Sequence, residues 1–219
     1  MSSIGAFFDL DRTLIDVNSG LLWAWHERQL GNISRLMMAR AAFWSALYHL
    51  SLVDIETAFG TATRHYRGEL EADLAARTRQ WFHRDIAHCL RPGAARAMAS
   101  HRAQGHRLVL LTNSSSFEAS VAAETWQLDD YLANRFPLDD QQRLVGRYQH
   151  PMCYGPGKVE LAERWAQAQD VDLDRSFFYT DSHSDLPMLE RVGQPRVVAP
   201  DPRLRFVALR RGWLVLDWS

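Results

Sequence analysis

A short apolar run near the start of the chain ends at two carboxylates one residue apart. Residues 4–8 are apolar or glycine, which is typical of a buried strand, and Asp9 and Asp11 follow directly. The carboxyl ends of the strands in an open α/β sheet form the crevice where ligands bind. Alternation along the strand points both aspartates the same way and turns Leu10 inward. We therefore predict a binding site here, with an aspartate-rich surface turn as the alternative.

The pattern changes from strand to helix after Thr13 and stays helical until about Leu90. Apolar residues recur at helical spacing throughout this block, among them Leu21, Leu22, Trp25, Leu36, Trp44 and Trp81. The block leaves the rest of the chain just after the two aspartates. We therefore expect residues 15–89 to form an all-helical cap that hangs over their crevice.

The remainder of the chain alternates strands and helices. Apolar runs end at Thr112 and at Asp181, and amphipathic segments separate them. Repeated strand and helix units predict an α/β fold with a doubly wound, mostly parallel sheet and a Rossmann-like core. The first strand completes this sheet, so the catalytic core comprises residues 1–14 and 90–219.

Composition excludes several partners. The net charge of −1, with no run of Lys or Arg, leaves no electrostatic footprint for nucleic acid. No transmembrane segment is expected, because Arg35 and Arg40 interrupt the apolar stretch of the cap. The absence of a leader pattern predicts a cytoplasmic protein. Cys89 and Cys153 lie far apart, which indicates free thiols in a reducing compartment.

Lys158 is the single lysine among the 25 Lys and Arg residues. A lysine is a compact point charge on a flexible stem, whereas arginine is a broad planar fork, so a crowded anion site can require lysine. We interpret Lys158 as an anion ligand. The alternative is a chance lysine on a surface helix.

Polar residues fall where predicted strands end and predicted helices begin: Asp9, Asp11, Thr112, Asn113, Ser114, Lys158, Asp181 and Asp185. Hard oxygen ligands with one or two carboxylates describe a Mg²⁺ site that works with a substrate phosphate. Lys158, Thr112 and the backbone amides of Asn113 and Ser114, expected at a helix start, could hold the phosphoryl oxygens. A P-loop is excluded, because Met152 and Val159 stand where it needs Gly and Ser or Thr.

The motifs resemble, in order, those of the haloacid dehalogenase superfamily. The matching segments are DLDRTL at residues 9–14, Thr112-Asn113, Lys158, and DSHSDLPML at residues 181–189. The helical insertion after the first motif is similar to the cap of the phosphoserine phosphatase branch. The resemblance covers essentially the whole chain.

This resemblance implies a magnesium-dependent phosphomonoester hydrolase that acts on a small phosphorylated metabolite through an aspartyl-phosphate. It implies these roles: Asp9 the nucleophile, Asp11 the general acid and base, Asp9, Asp11 and Asp181 the Mg²⁺ ligands, Thr112 and Lys158 the phosphate ligands, and Asp185 a carboxylate that contacts the metal ligands. The dehalogenases lack the second aspartate of the first motif.

Two positions depart from the family pattern. Ser182 stands where glycine is usual, which raises the question of backbone strain. Asn18 stands where phosphoserine-specific members carry an acidic residue that reads the substrate amine, which weakens phosphoserine as the substrate. Asn18 is therefore a candidate substrate-binding residue. Candidates for binding a substrate carboxylate or second anion are Arg28, Arg40, Arg64 and Arg67.

Other functions share parts of this pattern. A phosphotransferase or phosphomutase could use the same aspartyl-phosphate, and a signalling receiver also combines acidic residues, a Thr and a Lys on a doubly wound sheet. The long cap and the third acidic strand end argue against the receiver. Bulky apolar residues in the cap, such as Trp23 and Trp25, form the cap core, an apolar wall for the substrate or a surface that rests on a membrane.

Overall fold

The computed structural model describes residues 2–39 and 55–218. Arg40 and the apolar residues that follow it in the predicted cap lie outside these ranges. The six strands are β1 (Gly5–Phe8), β2 (Arg107–Ser115), β3 (Asp130–Asn134), β4 (Phe177–Thr180), β5 (Gln194–Val198) and β6 (Leu214–Leu216). They form one sheet in the order β3-β2-β1-β4-β5-β6, with every neighbouring pair parallel. The predicted doubly wound parallel sheet is confirmed.

The described residues include eight α-helices whose bounds can be given. They are α1 (Ser19–Gln29), α2 (Ile55–His65), α3 (Glu71–Asp85), α4 (Pro92–Ala103), α5 (Ser116–Thr125), α6 (Pro156–Gln169), α7 (Leu186–Arg191) and α8 (Pro202–Arg211). Side-chain caps fix several starts: Asn18 accepts the N–H of Leu21 at α1, and Asp201 accepts the N–H groups of Arg203 and Leu204 at α8. Three of the helices, α4, α6 and α8, begin with a proline, where its missing N–H costs nothing.

The sheet is covered on both faces. Phe8 and its neighbours Leu108 and Leu110 on β2 belong to one buried cluster, whereas Phe7 and Val109 belong to the other. Alternate residues of one strand thus enter opposite cores, which is why the central strands read as continuous apolar runs. This burial places β1 in the middle of the sheet and its carboxyl end at the centre of the crevice.

The last part of the predicted cap shares the core of the α/β domain. Trp81 and Phe82 of α3, and Ile86 after it, are buried in the cluster that contains Phe8 and Leu110. Arg79 of α3 and Glu124 of α5 also form an exposed ion pair. The division at residues 14, 15, 89 and 90 stays a prediction, and α3 packs on the core side of the molecule.

The chain after Leu111 differs from the sequence-based expectation. Strand β2 continues through Thr112 to Ser115, with a register shift against β3, and α5 begins at Ser116, one residue before the start at Phe117 that the apolar pattern predicts. The amides of Asn113 and Ser114 therefore lie at the end of a strand, and the prediction that they open a helix is wrong. Ser115 caps α5 by accepting the N–H of Glu118 at 3.2 Å.

Both cysteines are free thiols, Cys153 buried and Cys89 partly buried. Within residues 2–39 and 55–218, each helix is too short or too polar to cross a membrane.

Gly157 at the start of α6 has no room for a side chain. A Cβ at this position would lie 1.9 Å from the carbonyl oxygen of Met152, a backbone atom that cannot move aside alone. We expect Gly157→Ala to lower the free energy of unfolding by about 2 kcal/mol or more. Gly60, in the middle of α2, is the control, because its nearest neighbour is 4.0 Å away. Gly60→Ala should be neutral or stabilising by about 0.5–1 kcal/mol in urea titrations. Equal stability of the two variants would contradict the packing described for α6.

His101 makes the fold sensitive to acid. Its Nε2 lies 2.8 Å from the Tyr179 hydroxyl and its Nδ1 lies 2.8 Å from Nδ1 of His106. Burial, then the charges of His106 and Arg196, lower the pKa of His101 from 6.5 to about 4. The unfolded chain therefore takes up a proton at a higher pH than the folded one, and stability falls as the pH drops below about 6.5.

We expect His101 to contribute a loss of about 2 kcal/mol between about pH 7.5 and 5. Urea titrations of the wild type and His101→Gln at both pH values measure it, because the glutamine variant lacks this titration. An identical pH dependence in the two proteins would refute this assignment.

Candidate active site

The turn after β1 presents the two aspartates of the first motif. Leu10–Leu14 form a wide, kinked turn in which Asp11 (ψ 130°) and Arg12 leave the helical conformation, and its last residue donates its N–H to the Asp9 carbonyl oxygen at 3.3 Å. Arg12 has φ 58°, a left-handed conformation that is uncommon for residues other than glycine. Leu10 is fully buried, and Asp9 and Asp11 both line the cavity beside the turn. This agrees with the alternation predicted for the three residues.

Lys158 is the cation of the site. Its ammonium nitrogen lies 2.7 Å from Oδ1 of Asp9 and 2.8 Å from Oδ2 of Asp185, and the residue is 1% exposed. Burial alone disfavours the charged amine, but the two carboxylates outweigh it and raise the pKa of Lys158. A chance lysine on a surface helix is therefore excluded. The third residue of α6 instead carries a buried ammonium to the end of β1.

Asp185 joins Lys158 to the fourth strand. Oδ2 of Asp185 accepts a hydrogen bond from the Thr180 hydroxyl at 2.7 Å, as well as the one from Lys158. Thr180 ends β4, next to β1. Asp185 thus fixes the amine while Asp9 keeps its second carboxylate oxygen for another partner.

Asp181 lies at the end of β4, on the same crevice. The Thr13 hydroxyl lies 3.5 Å from its Oδ1, and its backbone carbonyl accepts the N–H of Asp201 at 2.9 Å. Burial, then the negative charges of Asp9 and Asp185, raise the pKa of Asp181 to about 8. Burial, together with the charges of Asp185 and Asp11, raises the pKa of Asp9 to about 7 against the opposing effect of Lys158.

Asp11 faces the start of the first cap helix. Its Oδ1 accepts the backbone N–H of Ser19 at 2.6 Å. Burial raises the pKa of Asp11, although this hydrogen bond opposes the shift. Close by, burial and the charge of Asp11 raise the pKa of Glu118 to about 8. A carboxyl group with a raised pKa at the mouth of the crevice is suited to proton transfer.

The predicted phosphate ligands lie together on the neighbouring strand. Thr112 is buried and lines the cavity with Asn113 and Ser114. The Thr112 hydroxyl oxygen accepts the N–H of Ser114 at 3.1 Å, and Asn134 donates to the side chain and the carbonyl of Asn113. The end of β2 is therefore held by one hydrogen bond of its own and by the Asn134 side chain of β3.

Of the residues predicted to bind the substrate outside its phosphate, some line the cavity and others do not. Asn18 lines the cavity, but its Oδ1 is used to cap α1. Arg28, Arg64 and Arg67 are absent from the cavity lining, and Arg40 lies outside the described residues. The prediction for these three arginines is therefore not supported by their positions. Arg147 lines the cavity, although no motif in the sequence pointed to it.

A large cavity opens above these groups, between the core and the cap helices. Its volume is about 640 Å³, within the range of sites for small molecules. Asp9, Asp181 and Lys158 lie on its lining, and the remaining walls are largely apolar. The apolar residues include Trp23, Ile33, Met37, Phe59, Leu74, Phe117, Phe136 and Leu144. Part of the apolar cap is therefore a wall of the candidate site.

The assignment of Asp9, Asp11 and Asp181 as metal ligands stays a prediction. Among residues 2–39 and 55–218, no three His, Cys, Asp or Glu side chains are arranged to hold a metal ion. The carboxylate of Asp11 accepts a hydrogen bond from the backbone of Ser19. The carboxylates of Asp9 and Asp181, by contrast, are close enough for the charge of Asp9 to raise the pKa of Asp181. A Mg²⁺ site that works with a substrate phosphate needs only one or two carboxylates plus water. The pair Asp9 and Asp181 meets this requirement, and a cation would relieve their repulsion.

Two features of the site were not evident in the sequence pattern. Ser115-x-x-Glu118 has the spacing of a capping box, which predicts that the Glu118 side chain caps the start of α5. In the structure the Glu118 side chain lines the cavity instead. Asp201 accepts the N–H of His183 at 2.6 Å and thereby ties the Asp181 loop to α8. Ser182 has φ −105° and ψ 134°, an ordinary extended backbone, so the substitution of the usual glycine introduces no strain.

Comparison with known proteins places the chain in a family. Residues 6–190 match the model of the haloacid dehalogenase-like hydrolases. The chain belongs to this family.

Individual relatives agree with that assignment. The chain is 30% identical to the inhibition of morphological differentiation protein of Streptomyces azureus, over 97% of this chain and 78% of the relative. It is 28% identical to a phosphoserine phosphatase of Mycobacterium tuberculosis, over 97% of this chain and 70% of the relative. A solved protein of unknown function from Bordetella pertussis has a TM-score of 0.90 at 27% identity and covers all of both chains. The predicted family and enzyme class, a phosphatase, are confirmed.

Proposed function

We propose that this phosphatase is a magnesium-dependent phosphomonoester hydrolase that acts on small phosphorylated metabolites through an aspartyl-phosphate on Asp9. One observation carries the proposal: the buried ammonium of Lys158 lies 2.7 Å from Asp9 at the edge of a cavity large enough for a metabolite. A fixed cation beside a carboxylate stabilises the negative charge that arises when that carboxylate attacks a phosphoryl group.

The residues divide the reaction into two displacements. A carboxylate oxygen of Asp9 attacks phosphorus, the bond to the leaving oxygen breaks, and Asp11 gives that oxygen a proton. Asp11 then takes a proton from water, and the water oxygen attacks the aspartyl-phosphate. Inorganic phosphate leaves and Asp9 is restored. Lys158 and Thr112 hold the phosphoryl oxygens during both steps.

Asp9 and Asp181 would hold Mg²⁺, which would supply positive charge to offset that of the phosphoryl oxygens. The Lys158 ammonium, fixed by Asp185, supplies a second positive charge from the α6 side. The raised pKa of Asp11 supports its role as the acid that protonates the leaving group.

Two observations limit the range of possible substrates. One relative is named a phosphoserine phosphatase, but Asn18 replaces the acidic residue expected for reading phosphoserine, and its oxygen is already used to cap α1. Small phosphomonoesters other than phosphoserine are therefore favoured. A cytoplasmic location also stays a prediction.

Metal removal tests the proposal. We expect the protein to release inorganic phosphate from members of a panel of amino-alcohol, sugar and lipid phosphates in the presence of Mg²⁺. A chelator should reduce the rate by about 10²-fold or more, and excess Mg²⁺ should restore it, because the charge on Asp9 and Asp181 is then no longer compensated. Phosphate release that is equally fast without divalent cations would contradict the metal dependence. Transfer of phosphate to an added alcohol instead of water would indicate a phosphotransferase.

A further inference from the structure

We propose that Glu118 binds an ammonium group on the leaving alcohol, so that the preferred substrates are phosphate monoesters of hydrophobic amino alcohols. The inference rests on the proposed phosphomonoester hydrolysis and specifies the leaving group. It arises from one buried carboxylate and the walls around it.

Glu118 is a buried carboxylate with an unused acceptor. It is 6% exposed, lies in the first turn of α5 and lines the cavity. Among the described residues its Oε1 has no hydrogen-bond partner with good geometry, although the hydroxyls of Ser19 and Ser114 lie close enough to oppose the rise of its pKa. An unsatisfied buried acceptor costs about 1–3 kcal/mol, and more when it is charged. A ligand that donates a hydrogen bond at this point would recover that cost.

The charges around Glu118 select a cationic donor. Asp11 is the charged neighbour that acts on Glu118, and no Lys, Arg or His of the described residues contributes an opposing charge there. Arg12 and Lys158 act on Asp11, but neither acts on Glu118, and a carboxyl group beside a like charge without its own counterion favours a positive group next to it. The ammonium of an amino alcohol supplies both the hydrogen bond and the charge.

Capping does not explain the buried carboxyl group. The backbone N–H of Glu118 already satisfies the Ser115 hydroxyl oxygen at 3.2 Å, which is half of a capping box. In a full capping box the Glu side chain would turn back to the N–H of Ser115. Its presence on the cavity wall, with Oε1 unpartnered, points to a ligand instead.

The other walls determine what the ammonium is attached to. Trp23, Phe59, Phe117, Phe136 and Leu144 line the same cavity. Phe136 stacks on Phe117 with ring centroids 5.6 Å apart and on Phe59 at 6.1 Å. A phosphate group and a two-carbon chain would leave most of the 640 Å³ unfilled. Burial of an apolar or aromatic substituent against these rings would add binding free energy in proportion to its area.

The test uses matched phosphate esters. The first pair is 2-amino-3-phenylpropyl phosphate and 3-phenylpropyl phosphate, which differ only in the amine. We expect the wild type to prefer the amine by about tenfold or more in kcat/KM. In Glu118→Gln this ratio should fall to near one, because the glutamine has no charge for the ammonium. Glu124→Gln, an exposed position on the same helix, should keep the wild-type ratio.

A second comparison tests the apolar wall. The wild type should hydrolyse 2-amino-3-phenylpropyl phosphate about tenfold more efficiently than 2-aminoethyl phosphate, which has the amine without the ring. Equal efficiency for the two members of either pair in the wild type would overturn the proposal. So would an unchanged amine preference in Glu118→Gln. If Glu118→Gln does not fold, as thermal unfolding would show, Glu118→Asp replaces it, and its amine preference should fall because the shorter side chain withdraws the carboxylate.

These outcomes separate the two proposals. Hydrolysis of both members of the first pair at equal efficiency leaves phosphomonoester hydrolysis intact and removes the role of Glu118. Failure of the wild type to release phosphate from any ester of either pair, or from the wider panel, removes both.

Discussion

Asp9→Asn should reduce kcat for any phosphomonoester substrate by about 10⁴-fold or more. The amide keeps the shape of the side chain but cannot attack phosphorus as a carboxylate. Lys158 retains Asp185 as a partner at 2.8 Å, so the buried ammonium stays compensated. The free energy of unfolding should change by no more than about 1 kcal/mol. Phosphate release under saturating substrate, with urea titration of the same preparation, measures both effects.

The control for this variant is an aspartate remote from the crevice. Asp140 is exposed, so Asp140→Asn should retain the wild-type kcat and stability. Turnover by Asp9→Asn at the rate of this control would refute the assignment of the nucleophile.

Lys158→Met should impair both folding and catalysis. Methionine fills a similar volume but leaves the carboxylates of Asp9 and Asp185 buried without their counterion. Breaking a buried ion pair from one side costs about 3–5 kcal/mol. Loss of a charged group that stabilises the transferred phosphoryl should lower kcat by about 10²–10³-fold. Urea titration and phosphate release are the measurements.

A double variant separates the two effects. Adding Asp185→Asn to Lys158→Met removes one of the uncompensated charges, so part of the lost stability should return. Activity should stay low, because the cation beside Asp9 is still missing. Recovery of activity along with stability would show that Lys158 acts only on folding.

The sheet and the strand ends could be predicted because burial dictates them. Central strands covered on both faces must be apolar, and the charged residues that follow them must lie at the edge. This logic placed Asp9, Thr112 and Asp181 in one crevice, and all three line the cavity. Lys158 could be selected because a lone lysine in an arginine-rich chain suggests a position that arginine cannot fill.

The features that the sequence did not predict correctly depend on packing between segments that are distant in the sequence. The turn at Asn113 and Ser114 reads as a helix start, but strand pairing with β3 extends β2 through it. Local pattern cannot reveal such pairing, because the partner strand is elsewhere in the sequence. The direction of the Asp11 carboxylate likewise depends on the N–H of Ser19, which the wide turn brings to 2.6 Å.

Glu118 was missed for a different reason. Its spacing from Ser115 satisfies a local rule, and the local rule explains its backbone correctly. The burial of its side chain depends on α5 packing beneath the cap helices, which no short motif encodes. A residue that meets a structural rule can still carry an unused functional group.

The most direct test of the central claim is to trap phosphate on the protein. Wild-type protein is mixed with a turned-over phosphomonoester that carries labelled phosphate, quenched in acid within one turnover, and digested for peptide mapping. We expect label on the peptide that contains Asp9, and no label on that peptide in Asp9→Asn. Labelled inorganic phosphate without any labelled peptide during rapid turnover, or label on another residue, would contradict this claim.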